Sequence, residues 1–484
     1  MDQPYAITFP EVIVFKRIMK QVGRLDAVRT FLWCPMKMRR PALLLALVTA
    51  FLPTLATAAD TAGDCRIGAY RLTDGSVVDI GASDEDALRW RRFDGTTGKL
   101  HKNADGSWYS TLGFADKPDG KTVTFSDCAK GDISFNGING RRIAFDVTES
   151  TFEGDGVKLV GRLVLPKSAG QTPIVVLIHG SETDSARDFY PLQRLLPAEG
   201  VGAFVYDKRG TGASGGKYTQ DFNLLANDAV AAMREARRLA GARAGRVGYL
   251  GTSEGGWVAP LAETRAPVDF VIVGYGLAFS VIDEDQQEVA LEMRLKGHSL
   301  QEIAKAQEVA AAAEAVFESG FTKGFERFNA VRAKYRSEPW YKDVHGNFTY
   351  FILPYTTEAE LREKAKELNF AEMGTPFRYD PMPTLRAVKA PQLWILGQDD
   401  LEAPSAPTAR RLKALAAQGH PITLAIFPHA EHGIYEFVTE PDGERNDTRN
   451  SDGYFAMLRD YARDGRLKGR YGASVVTPPK PLGQ

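Results

Sequence analysis

The chain has 484 residues, of which 44% are hydrophobic and 25% charged, so it reads as two or three folded globular units and excludes a disordered or collagen-like protein. Its 60 Lys and Arg against 61 Asp and Glu leave a net charge of −1, with no basic stripe. That balance excludes a protein held to nucleic acid by phosphate contacts and points to small-molecule partners.

Residues 36–58 read as a secretory signal peptide. Lys37, Arg39 and Arg40 form its basic start, 42–52 its apolar run, and Ala56-Thr57-Ala58 a small-residue cleavage site before Ala59. The run is shorter than the ~20 residues of a membrane-crossing helix, so no stable span is expected after cleavage. An uncleaved anchor is the rival reading. Such leaders begin with their basic part, so residues 1–35 read as an over-extended start, with Met36 or Met38 as the true one; a genuine long leading region is the alternative. A periplasmic or secreted bacterial protein is the expectation. Cleavage would remove Cys34 and leave Cys65 and Cys128, an even pair in an oxidising compartment, from which a disulfide is expected. Two separate thiols are the alternative.

Residues 59–140 predict a small all-β domain. Short runs at 67–72, 76–80, 108–112, 122–125 and 132–135 alternate with Asp74-Gly75, Asp94-Gly95, Asp105-Gly106 and Asp119-Gly120, and Asp-Gly between such runs is a hairpin signal. Trp90, Phe93, Trp108 and Tyr109 read as core rather than as a ligand platform. From 141 to 280 the pattern changes. An antiparallel pair at 142–147 and 157–166 precedes apolar strands at 173–180, 202–207, 246–250 and 270–274, with helices at 186–198 and 224–240 between them. Strands alternating with helices predict a mostly parallel sheet with helices on both faces, an α/β architecture. Strands then stop for about a hundred residues. Residues 281–385, with helices at 299–318 and 358–368 and an aromatic stretch between them, read as a helical cap over the site; a peripheral helical decoration is the plainer alternative. The sheet resumes in 386–470, with a strand at 392–396, and 471–484 form a tail.

Four motifs carry chemistry. Gly251-Thr252-Ser253-Glu254-Gly255 follows a strand and opens a helix, the context of a nucleophile elbow. Gly251 and Gly255 leave room for the sharp turn, Ser253 is the candidate nucleophile, and the Glu254 N–H can help hold an oxyanion. His179-Gly180-Ser181 ends a buried strand, and Ser181 is the candidate second oxyanion donor. Gly397-Gln398-Asp399-Asp400 offers an acid after the next strand; spacing favours Asp400, with Asp399 as competitor. Phe427-Pro428-His429-Ala430-Glu431-His432-Gly433 offers the general base, His432, with His429 as competitor. The order Ser253, Asp400, His432 is that of the α/β-hydrolase arrangement, not of the chymotrypsin or subtilisin types.

On these motifs, and on Tyr206-Asp207-Lys208-Arg209-Gly210-Thr211-Gly212-Ala213-Ser214, residues 142–465 resemble the α/β-hydrolase superfamily. They are most similar to bacterial exported esterases and serine aminopeptidase-like hydrolases that carry a small β domain ahead of the catalytic one. The resemblance implies acyl transfer to water through an acyl-enzyme on Ser253, without metal or organic cofactor. The expected substrate is a small-molecule carboxylic ester. A serine peptidase of aminopeptidase type shares the fold and triad, and a non-enzymatic binding protein on the same fold is the third reading. Ser181-Glu182-Thr183 departs from the glycine-rich oxyanion loops of many lipases and argues against bulky lipid substrates.

Overall fold

The computed structural model describes residues 64–479 apart from 85–86, 128–129, 356 and 442. The leader at 36–58, residues 1–35 and Cys128 lie outside the described residues, and with Cys128 so does the Cys65–Cys128 pairing. Contacts divide the chain between Ile67 and Gly68. Of the first unit, 64–67 is described, a turn in which the Asp64 carboxylate accepts from the Arg66 N–H and guanidinium.

The second unit opens with an eight-stranded closed barrel: β1 (Gly68–Leu72), β2 (Val77–Ala82), β3 (Leu88–Arg92), β4 (Thr97–Lys102), β5 (Trp108–Leu112), β6 (Pro118–Phe125), β7 (Asp132–Phe135) and β8 (Ile138–Arg142). Each strand runs antiparallel to the next, and β1 closes on β8. Closure leaves no unpaired sheet edge. The apolar face buries Tyr70, Val78, Ile80, Trp90, Leu100, Trp108, Val123 and Phe135. Three Asp-Gly pairs make the hairpin turns as expected, with φ of 85° at Gly75, 96° at Gly95 and 86° at Gly106. In each, the aspartate accepts from the N–H and hydroxyl of the Ser or Thr two residues on. The fourth pair differs. Asp119-Gly120 sits inside β6, where the register against β5 shifts, so its positive φ makes an irregularity in a strand rather than a turn.

A nine-stranded sheet follows: β9 (Phe145–Glu153), β10 (Lys158–Pro166), β11 (Thr172–Ile178), β12 (Gly202–Tyr206), β13 (Ala244–Thr252), β14 (Val271–Gly274), β15 (Gln392–Gly397), β16 (Ile422–Phe427) and β20 (Val475–Thr477). Its spatial order is β20-β16-β15-β14-β13-β11-β12-β10-β9. The strands from β12 to β16 are parallel, while β9, β10 and β20 pair antiparallel at the edges. Alternation along β11 explains the two-sided core. Ile174, Val176 and Ile178 face the cluster that includes helices Phe222–Ala240, Gly255–Arg265 and Ser405–Ala417. Val175 and Leu177 face the cluster of helices Leu192–Ala198 and Tyr454–Asp464. The chain therefore has the α/β-hydrolase fold, with a helical cap inserted between β14 and β15 and a small β domain ahead of it.

The helix expected over 186–198 is two pieces, Ala186–Phe189 and Leu192–Ala198. Pro191 separates them, because a proline excludes the α conformation from the residue before it. Tyr190 accordingly has ψ 115°. In the cap, Leu300–Glu318 and Glu358–Glu367 start at Ser299 and Thr357, each closing a capping box. Val281–Leu295 and Phe325–Tyr335 are further helices. The aromatic stretch packs on itself: Phe317 lies within 5.5 Å of the Phe321, Phe348, Phe351 and Phe370 rings. A small three-stranded sheet, β17 (Ala430–Glu431), β18 (Tyr435–Thr439) and β19 (Arg445–Asn450), springs from the loop after β16.

Candidate active site

Ser253 occupies the turn between β13 and helix Gly255–Arg265 with φ 51°, a left-handed backbone that a serine rarely adopts. Two bonds hold it there. The Ser253 N–H donates to Gly274 O at 3.1 Å, and the Gly256 N–H donates to Ser253 O at 2.7 Å. The expected glycines are sterically required. A Cβ on Gly251 would lie 2.0 Å from Gly255 O, and one on Gly255 would lie 2.5 Å from Ile178 O.

His432 follows β17, and its Nε2 is 3.1 Å from Ser253 Oγ. Its Nδ1 is 3.0 Å from Asp400 Oδ2. Asp400 is buried, and its other oxygen accepts from the Ala403 N–H at 2.8 Å. The two competitors meet each other instead. His429 Nδ1 lies 3.6 Å from Asp399 Oδ2, on a His429 side chain that is 88% exposed. The sequence order thus brings Ser253, Asp400 and His432 together and leaves the half-buried Asp399 paired with the exposed His429.

The loop after β11 abuts the serine: a Cβ on Gly180 would stand 3.2 Å from Ser253 Cβ. The N–H groups of Ser181 and Glu254 donate to no acceptor among the described residues. A buried cation ties the loop to the elbow. Lys208 Nζ donates to Gly180 O at 2.7 Å and to Glu254 Oε1 at 3.0 Å. It stands 4.6 Å over the Tyr218 ring, whose hydroxyl donates to Ser181 O at 2.6 Å. Burial pulls the ammonium down, but the Glu254 carboxylate outweighs it and holds Lys208 above the usual lysine range. His179 accepts the Lys208 N–H on Nε2 at 3.0 Å, which gives it a loop-shaping role. Arg209 clasps Asp228 with two bonds and reaches Asp155 O.

Two carboxylates escaped the sequence reading. Glu402 Oε1 lies 3.6 Å from His432 Nε2, and Glu284 on cap helix Val281–Leu295 interacts with both. Burial pulls the His432 pKa down, yet Glu402, Asp400 and Glu284 raise it to about 10. Burial, then Glu402, lifts Glu284 well above the carboxylate range, and burial also lifts Glu402 against the pull of His432. Glu402 is two residues from Asp400 and could have been flagged by proximity. Glu284 carries no local signal, because it joins the site only through the path of the first cap helix as it leaves β14. Elsewhere in the cap, Glu288, Glu292 and His345 bring ligand atoms within 4.8 Å of one another, with His345 Nδ1 2.7 Å from Glu292 Oε1. No helix among the described residues is long and apolar enough to cross a membrane.

Residues 170–441 match the family described as serine aminopeptidase, S33. No curated protein matches the sequence. Among solved structures, an esterase of Pyrococcus furiosus is 15% identical at a TM-score of 0.38, over 60% of this chain and 84% of that one. The acylaminoacyl peptidase of Pyrococcus horikoshii is 14% identical at a TM-score of 0.40, over 81% of this chain and 57% of that one. A proline iminopeptidase of Mycobacterium smegmatis is 16% identical at a TM-score of 0.39, over 65% of this chain and 98% of that one.

Proposed function

From the premise that the chain belongs to the serine aminopeptidase (S33) family of hydrolases, we propose that it cleaves a small carboxylic ester through an acyl-enzyme on Ser253. The observation that carries this reading is the continuous relay from Asp400 through His432 to Ser253 Oγ, at 3.0 and 3.1 Å. Ser253 Oγ attacks the ester carbonyl while His432 Nε2 takes its proton. Asp400 accepts from Nδ1 and stabilises the imidazolium. The Ser181 and Glu254 N–H groups hold the oxyanion, and removal of one such donor costs roughly 10²–10³ in rate. The imidazolium then gives its proton to the leaving alcohol. Water, activated by His432, releases the acid and restores Ser253. Export by residues 36–58, cleavage before Ala59 and a Cys65–Cys128 disulfide belong to the same proposal and are supported by the sequence alone.

The carboxylates favour a second reading. Glu402 puts an acidic side chain 3.6 Å from His432 Nε2, and Glu182 adds its carboxylate, bonded to the Tyr190 hydroxyl, next to Gly180. Such a rim suits a substrate with a cation near the scissile carbonyl, as the free amine of an aminoacyl compound supplies. That supports a serine peptidase of aminopeptidase type.

Hydrolysis of p-nitrophenyl acetate, butyrate and octanoate, and of aminoacyl p-nitroanilides, by the chain from Ala59 tests both. Ester turnover that vanishes in Ser253→Ala is the expected result. Turnover of the anilides above the esters would move the assignment to the peptidase. Turnover that survives in Ser253→Ala would overturn the nucleophile and leave a binding protein with adventitious activity.

A further inference from the structure

The β18–β19 hairpin leaves the site immediately after His432, and the barrel grips it. The Asn450 N–H donates to Gly95 O at 3.0 Å, and the Phe114 N–H donates to Asp447 O at 2.9 Å. The Phe114 ring meets Tyr435 edge-on at 4.9 Å and carries the Arg89 guanidinium 4.1 Å from its centroid. Arg89 also donates to Gly113 O at 2.6 Å. The approach is too close for side chains. A Cβ on Gly95 would lie 2.1 Å from Asn450 O, and one on Gly113 would lie 2.3 Å from Thr448 O. The same hairpin holds the loops that carry His432 and Asp400. Asn450 Nδ2 donates to Gly433 O at 3.0 Å, next to His432, and the Ser451 N–H donates to Ile434 O at 2.9 Å. Arg445 Nη1 donates to Asp399 O at 2.8 Å, next to Asp400, and pairs with Glu431. Glu431 in turn accepts the Leu401 N–H at 3.0 Å.

We propose that the N-terminal barrel is a positioning domain: through Gly95, Gly113 and Phe114 it fixes the β18–β19 hairpin, and through Asn450 and Arg445 the hairpin fixes the His432–Asp400 geometry. The proposal rests on the reading of Ser253, Asp400 and His432 as the reacting group. Two loops, carrying His432 and Asp400, converge on Ser253 from different strands. Loops are the mobile part of such a sheet, and displacement of a reacting group by 1 Å can cost about 10²-fold in rate. The hairpin bridges both loops, and the barrel removes its freedom to swing. Asn450 and Phe114 therefore act through His432 and touch no substrate.

The test uses the whole chain from Ala59 and the variants Phe114→Ala, Phe114→Tyr, Asn450→Ala and, as a barrel control away from the hairpin, Asp74→Ala. Two readouts are taken: kcat and KM on p-nitrophenyl butyrate, and the far-downfield proton resonance of the His432–Asp400 hydrogen bond. We expect Phe114→Ala and Asn450→Ala to lower kcat by about 10- to 100-fold with KM nearly unchanged, and to weaken or broaden the resonance. Phe114→Tyr restores both, and Asp74→Ala leaves both as in the parent. If Phe114→Ala does not fold, Asn450→Ala carries the test, since its side chain lies on the hydrolase side. Parental kcat and resonance in folded Phe114→Ala and Asn450→Ala would overturn the proposal and reduce the barrel to a stabilising appendage. Equal losses in Asp74→Ala would overturn it as well. Should the parent turn over no ester, the ester reading fails, while the resonance still tests the positioning role without a substrate.

Discussion

A general base must lose its own proton before it can take one from Ser253, and His432 sits among carboxylates that oppose that loss. Its raised pKa, about 10, comes from Glu402 and Asp400 acting against burial. The protonated form is inactive as a base, so the acid limb of kcat/KM lies above the ordinary imidazole range and activity rises with pH toward it. Glu402→Gln removes the largest raising influence and keeps the shape. The limb is then expected to move to lower pH, and an unmoved limb in a pH–kcat/KM profile would sink the assignment of Glu402. Asp400 was legible as a residue because it follows a strand with a Gly at the right offset. Choosing it over Asp399 rested on the spacing from Gly397, and choosing His432 over His429 on the glycine that follows it and on the chain order, and the distances now sort all four. Lys208 was legible only as part of a loop. Its buried ammonium and its bonds to Gly180 O and Glu254 join segments far apart in sequence, which no local pattern encodes.

At the scale of elements, the elbow is the most constrained piece of chain. β13 and helix Gly255–Arg265 approach so closely that a methyl group on Gly251 meets Gly255 O at 2.0 Å and Ala259 Cβ at 2.8 Å. Gly251→Ala must therefore push strand and helix apart, and overpacking of this kind typically costs about 1–3 kcal/mol. Thermal unfolding should show that loss, and titration with a serine-directed phosphonate should show slower labelling of Ser253. Labelling at the parental rate would mean that the turn tolerates the methyl. Strands buried on both faces, such as β11 and β15, were plain from their apolar runs. Barrel strands β3 and β4 were not. β3 reads Leu-Arg-Trp-Arg-Arg, and β4 reads Thr-Gly-Lys-Leu-His-Lys, with Leu100 its only large apolar residue. A Cβ on Gly98 would lie 2.4 Å from Ser110 Oγ, so part of the β4 inward face is necessarily empty of side chain. The hairpin β18–β19 was missed for a related reason: Arg-Asn-Asp-Thr-Arg-Asn is polar because its partners are the barrel loops and the loops carrying His432 and Asp400, rather than a hydrophobic core.

For the whole molecule, the barrel and the hydrolase share a buried ion pair as well as the hairpin. Arg194 on helix Leu192–Ala198 donates through Nε and Nη2 to Asp79 on β2, and Asp79 is fully buried. A bidentate, desolvated pair is costly to break from one side, because the remaining charge has no water. Asp79→Asn is expected to destabilise the chain by about 3–5 kcal/mol in urea unfolding. Asp79→Leu combined with Arg194→Met should recover most of it, since both charges are then gone. A loss below ~0.5 kcal/mol in the single variant, the range of an ordinary surface change, would remove the pair from the interface argument.

The sequence by itself determined the fold class, the elbow at Ser253 and the chain order of acid and base. Those features rest on short-range chemistry: glycines where a turn must be tight, apolar runs where a strand is buried, an acid and a histidine on the loops that end successive strands. Only the tertiary structure decided that the Asp-Gly-punctuated segment closes into a barrel, that Glu284 and Glu402 crowd His432, that Lys208 fastens the loop to the elbow, and that the barrel holds the hairpin beside His432. Each of these joins residues distant along the chain, and the energy that selects them, burial of charge and close backbone approach, exists only once the surfaces have met.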